Sequence, residues 1–337
     1  MKLGPTWYAR VLLFLGVSLL FCTVGASSTV AQEEVRTADG RRLVLQEYPL
    51  PAGAYPHDAV PDHSGRWVWY AGQRSGTVGR LDPTNGELMI INLPQGSAPH
   101  GIIVGPDHGI WLTDGGLNAI VRVDPDTHRV DTYPLPGARA NLNTATFDGN
   151  GVLWFTGQSG YYGRLDPAVG VVEQFDAPRG AGPYGIATAP DGTVYYASLA
   201  GSYLGRINPD ATVTVLDPPT PRAGVRRVWP DSMGRLWIAE FNVGQLGLYD
   251  PSNGGWREWK LPGGDRAQAY AVYVDHDDKV WLSDTGTETI VRFDPVTETW
   301  ATVPHGTPSN IAQLGGVPGE VWGGQRARDH LFVVRYE

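Results

Sequence analysis

The segment Ile110-Trp111-Leu112-Thr113-Asp114, followed ten residues on by Asp124-Pro125-Asp126-Thr127, sets the frame for the whole chain. The same pairing of a tryptophan with a later Asp-Pro returns at Trp69 with Asp82-Pro83 and at Trp154 with Asp166-Pro167. Pro83, Pro125, Pro167, Pro209 and Pro251 are each 42 residues apart, and Pro295 follows after 44. Strands and turns repeating with that period mark a β-propeller, whose units bury their faces only against neighbours. In the unit that contains the segment, 101–104 is an apolar strand and Pro106-Asp107-His108-Gly109 a turn. Residues 110–113 and 119–123 read as the next two strands and 129–133 as a fourth, more polar one, with Gly-Gly and Asp-Pro turns between them.

Trp69, Trp111, Trp154, Tyr195, Trp237, Trp281 and Trp322 hold one place in seven successive units. Seven blades are therefore expected, with this aromatic column filling the space between adjacent sheets. The last unit ends at Phe332-Val333-Val334-Arg335-Tyr336, which supplies a third strand and leaves no chain for a fourth. Leu43-Val44-Leu45-Gln46-Glu47-Tyr48-Pro49-Leu50-Pro51 resembles the fourth strand Val130-Asp131-Thr132-Tyr133-Pro134-Leu135-Pro136. The expected fold is thus all-β: a seven-bladed β-propeller over 43–337 whose ring is closed by an N-terminal strand completing the last blade.

Ahead of the repeat, Lys2 and Arg10 precede an apolar run over 11–26, and both Val24-Gly25-Ala26 and Thr29-Val30-Ala31 offer small residues for cleavage. Residues 1–31 read as a secretory signal peptide, with an uncleaved N-terminal anchor as the alternative, and 32–42 as a short linker. Secretion or a periplasmic location follows, with membrane attachment only if the segment is retained. Cys22, the single cysteine, falls inside that segment, so the mature domain has neither disulfide nor thiol nucleophile. Loss of Lys2 and Arg10 takes the formal charge from -9 to -11, which argues against nucleic acid as a partner.

Counting back 11 or 12 residues from each blade aromatic reaches the start of the innermost strand, at His57, His100, Asn143, Tyr184, Arg226, Tyr270 and Asn310. None is aliphatic, and convergence of seven such groups on the axis makes the channel mouth the expected site for a small-molecule ligand. A second column, three residues past each aromatic, reads Gly72, Asp114, Gly157, Ser198, Glu240, Asp284 and Gln325. Strand pairing is expected to bring His100 to Asp114 and Arg226 to Glu240, each pair 14 residues apart. The first suits acid–base or metal chemistry and the second a structural ion pair. His63, His108, His128, His276, His305 and His330 read as solvated, and Asp275-His276-Asp277-Asp278 as a turn too short for a calcium loop.

The phrases Ala98-Pro99-His100-Gly101-Ile102, Gly109-Ile110-Trp111-Leu112-Thr113-Asp114 and Tyr133-Pro134-Leu135-Pro136 resemble blades of the streptogramin B lyases, the virginiamycin B lyase family, and the likeness extends over about 43–337. The resemblance implies a magnesium-dependent carbon–oxygen lyase that opens a cyclic depsipeptide antibiotic at its ester by elimination, an antibiotic-resistance activity. It implies His100 as catalytic base, Asp114 as a metal ligand and His57, one blade earlier in Pro56-His57, as a substrate contact. Asn143, Tyr184, Arg226, Tyr270 and Asn310 would complete the substrate site. Ala98 stands where the family's first metal carboxylate is expected, and the motif lies in the first two blades instead of near the C-terminus. Two other readings stay open: a non-catalytic ligand- or protein-binding propeller, and a metal-dependent hydrolase like the gluconolactonase propellers. The latter would draw on Asp114, Glu240, Asp284, Asn143 and Asn310.

Overall fold

A computed structural model describes residues 33–336. The segment read as a signal peptide or anchor, with Cys22, lies outside them. Seven antiparallel sheets follow one another in sequence, six of four strands and one of five. The first blade runs through Pro56–Pro61, Val68–Gly72, Thr77–Asp82 and Glu87–Asn92, and the second through Pro99–Val104, Ile110–Asp114, Ala119–Val123 and Val130–Pro134. In the last blade, Ile311–Val317, Glu320–Gln325 and His330–Tyr336 are joined by Arg42–Pro49, with Leu43 opposite Tyr336 and Pro49 opposite His330. The ring is closed by the N-terminal strand, as the sequence implies.

One correction falls on the linker. Glu33–Arg36 is a strand, paired antiparallel with Arg42–Pro49 as the outermost, fifth strand of that sheet. The turn between them is built by the Thr37 amide bonding to the Arg41 carbonyl and by Gly40, whose φ of 84° only glycine adopts freely.

The aromatic column packs between blades as expected. Trp69 lies among Ala71, Val78 and Ile91 of its own blade and Ile102, Ile110 and Leu112 of the next. A polar lock accompanies it. The indole N–H of Trp111, Trp154, Trp237 and Trp281 donates to Asp107, Asp148, Asp231 and Asp275 in the turn just before each. Asp275 shows why its acidic turn is structural: Oδ1 accepts the Asp277 and Lys279 amides, both at 2.9 Å, and Oδ2 accepts Trp281 Nε1 at 2.8 Å. Replacing it (Asp275→Ala) orphans a buried indole donor and unties the turn. The expected loss is about 2–3 kcal/mol, read as a lowered denaturant midpoint.

The innermost strands carry the feature that matters for the site. In the first blade Pro56 pairs with Gly72 and Ala59 with Tyr70, so His57 and Asp58 together oppose a single residue. The same register shift recurs at the start of every innermost strand, as at 99/102, 142/145 and 311/314. Such a bulge breaks the alternation of side chains, so two consecutive residues can serve the axial side.

Candidate functional site

Two cavities occupy the axis. One, of about 840 Å3, is lined largely by aliphatic side chains such as Val60, Ile102, Ile186, Val228 and Leu314. The other, of about 670 Å3, is a polar cup whose walls include His57, His100, Tyr184, Arg226, Tyr270 and Asn310. Six of the seven column residues read from the sequence therefore meet in one place, and the seventh, Asn143, bonds to His100 beneath it.

The register refines one member. Pro56, Pro99, Leu142, Pro183, Val225, Ala269 and Ile311 pair with the last residue of the second strand in each blade, so the equivalent of His57 in the last blade is Ala312. Asn310 reaches the cup from the preceding loop instead. The miscount arises because the last blade joins its first two strands by the short turn Pro318-Gly319, which removes residues from the interval to Trp322.

The two histidines lie against each other, with ring centroids 3.6 Å apart and planes tilted by 38°. His57 Nδ1 donates to Asp58 Oδ1 at 2.8 Å, and His100 Nδ1 donates to the Asn143 carbonyl at 3.0 Å. Both acceptors can only accept, so each ring carries its proton on Nδ1 and keeps Nε2 as the basic atom. Asn143 Nδ2 donates to that Nε2 of His100 at 3.3 Å. Burial, first of all, holds both imidazoles well below their usual pKa. For His57 the positive charges of Arg326, Arg227 and Arg226 add to it, and for His100 the adjoining His57 ring, since two touching imidazoles resist both being charged, together with Arg227 and Arg326. Both are neutral bases at physiological pH.

Arg227, which sequence reading passed over, orients the pair. It is 5 % exposed and sends Nη2 to Asp58 Oδ1 at 3.3 Å and Nη1 to Thr144 Oγ1 at 2.8 Å. The Thr144 hydroxyl donates to Asn143 Oδ1 at 2.7 Å, and Asn143 then donates to His100. One guanidinium thus fixes His57 through Asp58 and His100 through Thr144 and Asn143. Asp58 was missed as well, because alternation along a regular strand would turn it away from His57. The bulge is what brings it round.

The second column does a different job. Asp114 is fully buried, its Oδ1 accepting the Ala98 and Leu117 amides, each at 2.9 Å, and its Oδ2 accepting the Ser97 hydroxyl. Asp284 Oδ1 accepts the Gln268 amide at 2.8 Å and the Gly286 amide at 3.0 Å in the matching place. These carboxylates tether the loop that enters each blade. The structure pairs His57 with Asp58 and leaves His100 and Asp114 apart, because Asp114 turns toward that loop.

The anticipated Arg226–Glu240 ion pair does not form. Arg226 lies 3.4 Å from the centroid of Tyr270 and bonds Tyr184 Oη at 3.0 Å, while both carboxyl oxygens of Glu240 are buried without a hydrogen-bond partner. Burial and the nearby Glu258 push Glu240 up to about 8. A carboxyl whose folded pKa lies above its unfolded value of 4.5 contributes stability below that value, and loses it as the pH rises through about 8. Glu240→Gln is therefore expected to flatten the alkaline limb of the stability profile, and to exceed the parent by about 1 kcal/mol or more at about pH 9 in urea unfolding.

Of the six histidines read as solvated, His305 is buried and donates Nδ1 to the Gly306 carbonyl at 3.1 Å, and His330 is half-buried. His63, His108, His128 and His276 are exposed. Among the described residues, one group offers three metal-type ligands, His57, Asp58 and His100, with ligand atoms all within 4.8 Å, so this cluster could hold an ion.

The fold is thus a seven-bladed propeller with bases, aromatics and guanidiniums converging on one axial cup. The Virginiamycin B lyase family profile matches residues 27–293, and the chain belongs to that family. Its backbone superposes on a streptogramin B lyase at 20% identity and a TM-score of 0.81, covering 88% of this chain and 98% of that one. A catalytically inactive virginiamycin B lyase from Staphylococcus aureus, crystallised with quinupristin, gives 20% identity and a TM-score of 0.80 over 87% of this chain and 99% of that one. YCF48 bound to a D1 peptide gives 17% identity and a TM-score of 0.67, over 87% and 94%. At these identities the likenesses show the fold. None of the curated proteins compared matches the chain. Among the described residues, no helix is long and apolar enough to cross a membrane.

Proposed function

We propose that this protein is an exported carbon–oxygen lyase, which removes a proton from carbon next to a carbonyl and expels oxygen from the neighbouring carbon. The observation that carries the reading is the adjoining pair His57 and His100, both with Nε2 unprotonated and both at the wall of the axial cup of a virginiamycin B lyase-family propeller. His100 is the base. His57, held by Asp58, contacts the substrate, and Tyr184, Tyr270, Arg226 and Asn310 shape the rest of the cup, with Asn143 keeping His100 in place. Neutral imidazoles in a buried site accept a proton without first losing one. Export rests on the sequence of residues 1–31.

Magnesium is the ion the family resemblance implies, and the donors present fit it poorly. Ala98 offers no carboxylate, Asp114 has both oxygens bound by its loop, and Asp58 is shared between His57 and Arg227. Magnesium prefers several oxygen ligands and water, whereas His57, Asp58 and His100 present two nitrogens and one carboxylate, a set suited to a transition ion. The steps proposed here run through side chains alone.

The test is turnover of compounds carrying oxygen one carbon away from an acidic C–H, quinupristin among them, in water enriched in heavy oxygen. Elimination gives a new C=C absorbance with no label in the products, and His100→Ala is expected to lower the rate by about a hundredfold or more. Label entering the product would make the protein a hydrolase. Binding without turnover by any of these compounds would make it a binding propeller.

A further inference from the structure

The cup's charge is the reverse of what a metal-dependent site would show. Arg226 and Arg326 both line it, and among the described residues neither meets a carboxylate. Arg226 bonds only the Tyr184 hydroxyl and lies against the rings of Tyr270, Phe241 and Tyr184 at 3.4, 4.3 and 4.6 Å. Arg326 is held by the backbone carbonyl and side-chain oxygen of Asn310. The acid in the cup wall, Glu288, spends Oε2 on the amide and hydroxyl of Ser309. Elsewhere several half-buried or buried guanidiniums of this acidic chain meet carboxylates, as at Arg122–Asp107, Arg292–Asp39, Arg328–Glu47 and Arg335–Glu320. Two cations left unmatched, in a walled cavity on the axis, form an electrostatic socket for an anion.

We infer that the cup binds a carboxylate-bearing substrate, the carboxylate seated between Arg226 and Arg326, beside the basic Nε2 of His100. This rests on the lyase reading and names its substrate class: a carboxylate with a C–H next to it and an alkoxy group on the following carbon. Removing a proton next to a carboxylate builds up a second negative charge on that group, and fixed guanidiniums supply the counter-charge that a metal would supply in another site. His100 Nε2 takes the proton, the C–H electron pair becomes the new C=C bond, and the C–O bond to the neighbouring carbon breaks with its pair going to oxygen. The leaving oxygen takes a proton from the Tyr184 hydroxyl. That ring lies edge-on to His100 with centroids 6.3 Å apart, and its oxygen is bonded to Tyr270 Oη at 2.6 Å and to Arg226. Solvent carries the proton from His100 back to Tyr184, so the products are an unsaturated carboxylate and an alcohol.

The experiment titrates the full chain with two acids, a short oligouronate and 3-methoxybutanoate, with their methyl esters, and with inorganic phosphate, by calorimetry. The acids are expected to bind about 10- to 100-fold more tightly than their esters. Arg226→Gln and Arg326→Gln should each erase most of that difference, with Arg226→Lys retaining more of it than Arg226→Gln. Because Arg326 sits on the loop side of the cup, its variant serves where Arg226→Gln fails to fold. Equal binding of acids and esters, a preference for phosphate over both acids, or an acid preference that survives both glutamine variants would overturn the assignment. The two readings separate cleanly: charge-dependent binding without a new C=C absorbance keeps the anion cup and removes the lyase. Charge-indifferent turnover of quinupristin keeps the lyase and removes the anion cup.

Discussion

Asp58→Ala is expected to destabilise the fold by about 3–5 kcal/mol, because it leaves the Arg227 guanidinium buried on the axis without its counter-charge. Arg227 and Asp58 are 5 % and 1 % exposed, so the guanidinium is left largely desolvated when the carboxylate goes. The variant also removes the acceptor for His57 Nδ1, so the ring is free to change tautomer. Urea unfolding gives the stability, and nitrogen NMR of the imidazole gives the tautomer. Adding Arg227→Met should restore most of the stability, since an apolar chain of similar length needs no partner. The tautomer should stay scrambled in the double variant. If Asp58→Ala costs less than about 1 kcal/mol, the buried pair is not the keystone described above.

The second large effect concerns acid. His57 and His100 both have folded pKa values well below the ordinary 6.5, chiefly through burial, so the unfolded chain binds protons that the folded chain refuses. The stability this contributes is complete above about pH 6.5 and is lost as the pH falls below it toward the folded values. These two groups contribute a slope approaching about 2.8 kcal/mol per pH unit, and His305, also lowered by burial, adds in the same sense. Glu240 works in the opposite sense over the same range, so the slope is best measured in the Glu240→Gln background. There, urea midpoints from about pH 7 to about pH 4.5 should fall steeply, and His100→Asn should remove about a third to a half of the slope. An unchanged slope in that variant would mean that His100 is not held neutral by its surroundings.

The sequence revealed the fold almost completely, because every blade repeats the same physical problem, an aromatic between sheets, and most add a turn carboxylate to lock it and an Asp-Pro to reverse the chain. It also placed His57, His100, Tyr184, Arg226 and Tyr270 at one cup, since a fixed interval from a buried aromatic measures distance along a strand of constant rise. The interval failed only where a blade used a shorter turn, shifting the true column member from Asn310 to Ala312. Asp58 and Arg227 were not legible. Their positions are set by a bulge, and nothing in the residues beside a bulge announces that alternation will stop there. The role of Asp114 was hidden for another reason. A carboxylate at the end of a strand can face the axis or reach for backbone amides, and only the path of the entering loop shows that Ser97 and Ala98 are within its grasp.

The blade that joins both ends of the domain governs when the protein can exist at all. Arg42–Pro49 is among the first stretches of the domain to be synthesised, and its partner His330–Tyr336 is made last. One edge of the early strand can pair at once with Glu33–Arg36, but the edge meant for His330–Tyr336 must wait through the making of nearly three hundred residues. Six blades can stack as they appear, yet the ring has no seal until the final strand arrives. A polypeptide built in this order stays open for as long as its own end is missing.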